Sequence, residues 1–273
     1  MSEHSGSRTQ PSVTAVVTSC RRFDLLEQTL RSFLAHNDYP LDELVVIEDS
    51  DDDGVYAIAS VLEGVPHRII FNGRNIGQIA SIDRAYQGIA SDYIFHMEDD
   101  WLFTQRGFIG RAVAALEREP GAVLANLRTD ADMPYYVRSL RTQGEGAVRY
   151  KRIYPAIHYL WHTFTFNPSL LRTADYRALK GGYAGIGDEA SLSRHYKAQG
   201  RDMVWLIGGG VRHTGDDRSN YGEGYRKTAA RFSLRRLFRR ENLRKWRESL
   251  RRRFWHRLRQ IGIDTEPLQR RKR

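Results

Sequence analysis

The stretch Ser91-Asp92-Tyr93-Ile94-Phe95-His96-Met97-Glu98-Asp99-Asp100-Trp101 decides how the rest of the chain is read. Its apolar, aromatic run from Tyr93 to Met97 is short and lacks helical spacing, so it predicts a buried strand. Three consecutive carboxylates end it. Acids this close repel one another unless a cation or hydrogen-bond donors sit among them. Such hard oxygen ligands suit Mg2+ or Mn2+, which take a few carboxylates and complete their shell with phosphate oxygens of a substrate. Alone, the triplet would read as a solvated acidic turn; its surroundings argue otherwise.

Upstream, Val13-Thr14-Ala15-Val16-Val17-Thr18 predicts a first buried strand. Asp24 and Glu27 have the spacing of a capping box, and Leu26, Leu30, Phe33 and Leu34 give the following helix its apolar face. Glu43 to Glu48 predicts a second strand and ends in the acidic turn Glu48-Asp49-Ser50-Asp51-Asp52-Asp53-Gly54. A short helical segment through Ile58 and Leu62 leads to a third strand, His67 to Phe71. The loop Asn72 to Gln78 then opens a helix carrying Ile79, Ile82, Tyr86 and Ile89. This alternation predicts βαβ units, hence an α/β fold with a mainly parallel sheet, right-handed crossovers and helices on both faces.

In that arrangement Thr18-Ser19-Cys20, Glu48-Asp49, Asn72 to Asn75 and Glu98 to Asp100 all follow the last apolar residue of a strand. The carboxyl ends of such strands share one edge, where an open α/β sheet binds its ligand. Four polar clusters on one edge predict a nucleotide-type site.

Composition narrows the classes. The chain has 273 residues, a net charge of +10 and a single cysteine, Cys20, which forbids an internal disulfide and fits a reducing compartment. The charge is unevenly placed: residues 231–273 hold 17 Lys and Arg against 4 Asp and Glu, while the rest holds 26 against 29. The body is therefore slightly acidic, which argues against a nucleic-acid-binding body. Met1 to Ser12 lacks the apolar core of a signal peptide, and no run approaches the roughly 20 apolar residues needed to span a bilayer. A cytoplasmic protein, attached at most to a membrane surface, is expected. There is no G-x-x-x-x-G-K-[ST] phosphate loop, no G-x-G-x-x-G after the first strand, no H-E-x-x-H and no Cys/His set with zinc spacing.

Four segments in this order resemble family-2-type glycosyltransferases of the GT-A fold. They are Val16 to Leu26 with its strand, turn and helix; Val46-Ile47-Glu48-Asp49-Ser50; Arg74-Asn75-Ile76-Gly77; and Glu98-Asp99-Asp100 as a DxD-type motif. The resemblance implies a nucleoside-diphosphate-sugar donor, UDP by family habit, and Mn2+ or Mg2+ as cofactor. It places Thr18, Ser19, Cys20, Glu48, Asp49, Arg74, Glu98 and Asp99 at the nucleotide-sugar, with Glu48 or Asp49 on the base or ribose. Asp100 would coordinate the metal.

In the second half, Gly181-Gly182-Tyr183-Ala184-Gly185-Ile186-Gly187-Asp188-Glu189 resembles the family's glycine-rich loop and acidic pair. Glu189 matches the position of the base that deprotonates the acceptor hydroxyl, and the swapped order of the pair keeps Asp188 open. Acids in the first turn of a helix are also favoured by its dipole alone. His213 matches a histidine that the family often places near the metal and diphosphate. Trp161 and His162, within Trp161 to Asn167, could form an acceptor wall or belong to an aromatic core.

In the tail, Trp246, Leu250, Phe254 and Leu258 form a helical apolar stripe among arginines, with Trp255 beside it. Such helices lie in the headgroup plane of anionic membranes; packing on the catalytic domain and nucleic-acid binding are the other readings. The expected organisation is a leader (1–10), a GT-A domain (11–228) divided into a nucleotide-sugar half (11–127) and an acceptor half (128–228), and a basic tail (229–273). The expected activity is inverting transfer to a glycan or lipid-linked hydroxyl. The rivals are a sugar-nucleotide pyrophosphorylase and a non-catalytic membrane- or nucleic-acid-binding protein. Against the pyrophosphorylase, Thr18 to Asp24 contains no glycine.

Overall fold

The computed structural model describes residues 10–215 apart from Tyr159. The chain runs β1 (Val13–Ser19), α1 (Phe23–His36), β2 (Glu43–Glu48), a 3₁₀ segment (Asp53–Leu62), β3 (His67–Phe71), α2 (Gln78–Tyr86) and β4 (Tyr93–Glu98). It continues through β5 (Trp101–Phe103), α3 (Phe108–Arg118), β6 (Ala122–Asn126), α4 (Tyr135–Arg138), β7 (Thr142–Glu145) and β8 (Val148–Ile153). The last elements are β9 (Ser169–Arg172), α5 (Thr173–Arg177), α6 (Glu189–Ala198), β10 (Asp202–Leu206) and β11 (Val211–His213). The expected boundary at 228 and the tail, with Trp246, Leu250, Phe254 and Trp255, lie outside the described residues, as does most of the leader.

Nine strands form one sheet in the order β3-β2-β1-β4-β9-β6-β10-β8-β7. The first four are parallel to one another, as the βαβ rhythm predicts. Beyond β4 the sheet is mixed, because β9 runs antiparallel to both β4 and β6. β5 and β11 form a separate antiparallel ribbon.

Strand β4 from Tyr93 to Met97 is wholly buried, as a central strand covered on both faces must be. On one face Val13, Ala15 and Val17 pack with Leu26, Leu30 and Phe33 of α1 and with Phe108 of α3. Phe33 meets Phe95 at 5.6 Å, Phe103 at 5.2 Å and Phe108 at 5.8 Å between ring centroids. Truncating such a ring to alanine costs about 3–5 kcal/mol. On the other face Val16, Val45 and Ile94 pack with Ile82 and Tyr86 of α2 and with Phe164, Phe166, Tyr183 and Leu192. Helices on both faces thus follow from apolar residues alternating along β1.

Two local expectations are corrected. The capping box does not form: α1 begins at Phe23, its N-cap position is Arg22, and that side chain makes no capping bond. Glu27 instead accepts from Arg31 Nε one turn on, at 2.7 Å. Helix α2 ends at Tyr86, so Ile89 is buried against the same core but lies past the helix.

Candidate active site

The register across the parallel strands sets the polar clusters side by side. Thr18 pairs with Glu98, Ser19 with Glu48, and Glu48 with Phe71, so β1 to β4 end on one line. Three loops and the carboxylate triplet therefore meet at that edge.

After β1 the backbone turns through Arg21, whose φ of 60° is uncommon for a residue with a side chain. Two acids fix this turn: the Arg21 amide donates to Glu48 Oε1 at 2.9 Å, and the Cys20 amide to Asp99 Oδ2 at 3.4 Å. Glu48 is fully buried, and its Oε2 has no hydrogen-bond partner among the described residues. Ser19 Oγ is buried in the same condition, close by. Asp49 faces the opposite loop and accepts from the amides of Ile76 (2.7 Å) and Gly77 (2.9 Å) and from Asn72 Nδ2 (3.0 Å). From a neighbouring loop it thus satisfies backbone donors just ahead of α2, whose own N-cap is a glycine without a side chain. Arg74 is exposed on that loop.

The triplet divides its work. Glu98 Oε1 accepts from Gln78 Nε2 at 2.8 Å, and burial, with Asp100 and Glu189 adding repulsion, pushes its carboxyl up to about 8. Asp99 and Asp100 are both gripped by Arg22. Its Nε reaches Asp99 Oδ2 at 3.2 Å, its Nη1 reaches Asp100 Oδ2 at 2.8 Å, and its Nη2 pairs with Asp99 Oδ1. Burial raises Asp100, but the His213 hydrogen bond and Arg22 outweigh it and hold the carboxyl below its ordinary value.

The ribbon of β5 and β11 brings His213 to this point. His213 pairs with Trp101 in register, its ring lies 4.9 Å from the Trp101 ring, and Nε2 is 3.3 Å from Asp100 Oδ2. The following Thr214 donates its amide and its hydroxyl to the Asp100 carbonyl, each at 2.9 Å. Gly215 comes next because a Cβ there would lie 2.4 Å from Asp100 Oδ2.

These residues fit a divalent cation that shares its shell with a ligand. No set of three or more His, Cys, Asp or Glu among the described residues could hold a metal alone. Asp100 Oδ1, however, is buried without a partner among the described residues, and His213 stands beside it. One carboxylate and one imidazole would leave the remaining positions to phosphate oxygens and water, as for a divalent cation that is bound together with a phosphate-bearing ligand.

Helix α6 places its first residue, Glu189, within electrostatic reach of Glu98. Glu189 Oε2 accepts from the Phe166 amide at 3.1 Å, and burial raises its carboxyl above the ordinary glutamate value. Asp188 does something different: it is the N-cap of α6, accepts from the Ser191 amide at 2.8 Å, and is exposed. Its carboxyl is lowered by the Ser191 hydrogen bonds. The loop ahead of them is tied to α2 through Asp83, which accepts from the amides of Tyr183 and Ala184 at 2.8 Å each and from the Tyr176 hydroxyl at 2.9 Å. Gly182 is required there, since a Cβ would come within 2.5 Å of Asp83.

Within Trp161 to Asn167, Trp161 is 39% exposed, and His162 Nε2 lies 2.7 Å from the Tyr136 hydroxyl. Phe164 and Phe166 are core. Two cations at the site were not singled out from sequence. Arg22 could be seen only as one of two arginines following β1. Arg128 lies 5.4 Å from the centre of the Trp101 ring, pairs with Asp132 at 3.1 Å, and has no motif around it.

Residues 14–179 match the sequence profile of Glycosyl transferase family 2. Among solved structures, the fold is similar to the mannosyltransferase PcManGT from Pyrobaculum calidifontis in complex with GDP-Man and Mn2+. That match has a TM-score of 0.55 at 17% identity and covers 72% of this chain and 56% of that one. It is also similar to S. aureus TarS 1-349, with a TM-score of 0.51 at 13% identity over 72% and 57% of the two chains. The same protein in complex with UDP-GlcNAc gives 0.52 at 13% identity over 72% and 55%. At these identities the likeness establishes the GT-A fold, and the chain spans little more than half the length of those structures. No curated protein matches the chain.

Proposed function

This chain belongs to glycosyl transferase family 2, and on that premise we propose that it moves a sugar from a nucleoside diphosphate sugar to an acceptor hydroxyl, inverting the anomeric carbon. Family membership supports glycosyl transfer over the pyrophosphorylase and non-catalytic readings. The observation that carries the finer reading is the position of Glu189. It is half-buried with its carboxylate on the Phe166 amide, and it lies close enough to Glu98 to raise that carboxyl, as Asp100 also does.

In this reading Glu48, with a free buried oxygen, receives base or ribose hydroxyls beside the backbone of Thr18, Ser19 and Cys20, and Asp99 lies next to the ribose. Asp49 shapes the same pocket by holding the Ile76–Gly77 loop, while exposed Arg74 reaches the base or diphosphate from outside. Glu98, kept protonated near neutrality, lines the floor without adding a charge. Asp100 and His213 would hold Mn2+ or Mg2+. A bound divalent cation would neutralise the charge that develops on the departing diphosphate.

Glu189 takes the proton from the acceptor hydroxyl. Its burial makes it a stronger base than an exposed glutamate and brings its carboxyl nearer neutrality, where a general base works best. Asp188 positions it by capping α6. Holding hydroxyl and anomeric carbon in line supplies much of the rate, and no covalent intermediate is needed. Trp161 and His162 form the rim over which a glycan or lipid-linked acceptor would lie. The basic tail, through Trp246, Leu250, Phe254 and Trp255, would rest on an anionic membrane at the cytoplasmic face. Among the described residues no helix is long and apolar enough to cross a membrane.

The reading is tested by incubating the chain with UDP- and GDP-sugars and measuring nucleoside diphosphate release. Release that needs Glu189 supports it. Pyrophosphate-dependent consumption of the sugar nucleotide, without diphosphate release, refutes it.

A further inference from the structure

Away from the triplet, a cavity of about 440 Å³ opens between the turn after β6, α4 and the edge strands, lined by Asp130, Met133, Arg138, Thr142, Lys151 and Ile207. Its unusual occupant is Lys151. This residue sits within β8, paired with Thr142 on one side and Trp205 on the other, and is only 8% exposed. A lysine there is costly, because an ammonium removed from water loses solvation that its neighbours must replace. They replace little of it. Among the described residues the ammonium has one hydrogen-bond acceptor, the Leu140 carbonyl, for three donors. Burial accordingly draws its titration below the ordinary lysine value.

Arg138 adds a second cation. Its Nη2 is shared among the carbonyls of Asp130, Ala131 and Met133 at 3.3–3.5 Å, and its Nε and Nη1 have no acceptor among the described residues. The one acid in the lining, Asp130, already accepts from the Gly208 amide at 3.0 Å. Two cations with unused donors thus face one acid. An apolar residue at 151 would fold more cheaply.

The cavity is joined to the active site by the turn that forms its wall. Two residues before Asp130, Arg128 stacks on Trp101 next to the triplet and lowers Glu189 electrostatically, and its carbonyl accepts from Trp205 Nε1 at 2.9 Å. Trp205 is the strand partner of Lys151. The wall of the cavity is therefore continuous in chain with Arg128, the residue whose charge reaches Glu189.

We propose that this cavity is an acceptor subsite for an anionic group, a phosphate or a sugar carboxylate, held by Lys151 and Arg138. As an acceptor subsite it rests on the glycosyl-transfer reading. The acceptor is then an acidic glycan or a phosphate-bearing chain. Lysine supplies a compact charge and arginine a planar fork, the pair of donors that suits tetrahedral or planar oxyanions. The volume accommodates a sugar-sized unit.

The test is calorimetric titration of the full chain with inorganic phosphate, glucuronic acid and, as neutral control, glucose. Wild type is compared with Lys151→Met and Arg138→Gln, and nucleoside diphosphate binding is followed in parallel. Binding of one anion, weakened about tenfold or more by Lys151→Met and also by Arg138→Gln, with nucleotide binding unchanged, supports the subsite. Phosphate as the ligand points to a phosphate-bearing acceptor, and glucuronic acid to an acidic glycan. Nucleotide binding together with anion affinities that ignore both substitutions overturns the subsite and leaves the transfer reading standing. Anion binding that depends on Lys151 in a protein blind to every nucleoside diphosphate overturns the acceptor role and the transfer reading together.

Discussion

Arg22 Nη1 donates to Asp100 Oδ2 at 2.8 Å while the rest of the guanidinium holds Asp99. One side chain from the first loop thereby pairs with both aspartates, and it explains how two almost fully buried carboxylates are tolerated side by side, while Glu98 next to them is raised to about 8. Removing it strands charges that burial makes expensive. Arg22→Ala is expected to lose about 3 kcal/mol at pH 7 by urea unfolding, and Arg22→Lys less, since an ammonium cannot span both acids. A loss in Arg22→Ala below about 0.5 kcal/mol, the range of an ordinary surface change, would show that the acids are balanced by something else.

The acidic pair at the start of α6 should separate by function. Glu189→Gln is expected to lower kcat by about 10²–10⁴ with nucleotide affinity unchanged. Asp188→Ala should cost about 1 kcal/mol of stability as a lost N-cap and leave most of the activity. Equal loss of turnover in both would return Asp188 to candidacy.

Burial also fixes the pH dependence of that step. A base works only when deprotonated, and Glu189 is raised above its ordinary value of 4.5. Activity should therefore fall as pH drops through a value above 4.5, read from the acid limb of kcat/KM. An acid limb at or below 4.5 would mean that another group sets it.

His96 predicts a stability profile. Its ring packs between Tyr86 and Phe166, neither nitrogen has a partner among the described residues, and burial lowers its pKa to about 3 from 6.5. Because the unfolded chain binds the proton more readily, this residue's contribution is complete above pH 6.5 and is lost as pH falls from 6.5 toward 3. The loss is on the order of 5 kcal/mol at most. The stability difference between wild type and His96→Leu should narrow or reverse at low pH in favour of the variant. A difference independent of pH would mean that the ring is hydrated.

Asp83 couples α2 to the loop ahead of α6. Asp83→Ala strands three donors and is expected to cost about 3 kcal/mol while lowering kcat, because the Tyr183–Ala184 loop leads to Glu189. Donor affinity should hold, as Asp83 touches no part of the nucleotide edge. The check is a kcat measurement beside a binding titration; unchanged kcat would show that the loop is placed without it.

The parallel half was legible because strand runs and polar strand ends are written locally, from Val13 to Asp100. Strand β9 was not, since the four residues Ser169–Arg172 carry no length or alternation to mark them, and their reversed direction is set by contacts with β4 and β6. Arg22 lay within a quoted motif, but a sequence does not say which way a guanidinium turns. The false capping box has the same origin: Asp24 and Glu27 have the spacing, yet the turn at Arg21 starts the helix one residue earlier. Glu189 could be named by its place in a pattern, whereas its burial against Phe166, which separates it from Asp188, is a tertiary fact.

The central claim is that the Asp100 edge binds a nucleoside diphosphate with a divalent cation. The most direct measurement is thermal unfolding with UDP, GDP, dTDP or CMP, each with Mn2+ or EDTA, on wild type and Asp100→Ala. A ligand at a hundred times its Kd stabilises the native state by about 3 kcal/mol. One diphosphate is expected to raise the wild-type melting temperature with Mn2+, much less with EDTA, and not at all in Asp100→Ala. If no nucleotide stabilises the wild type, or if stabilisation survives unchanged in Asp100→Ala, the donor site is not where the triplet stands.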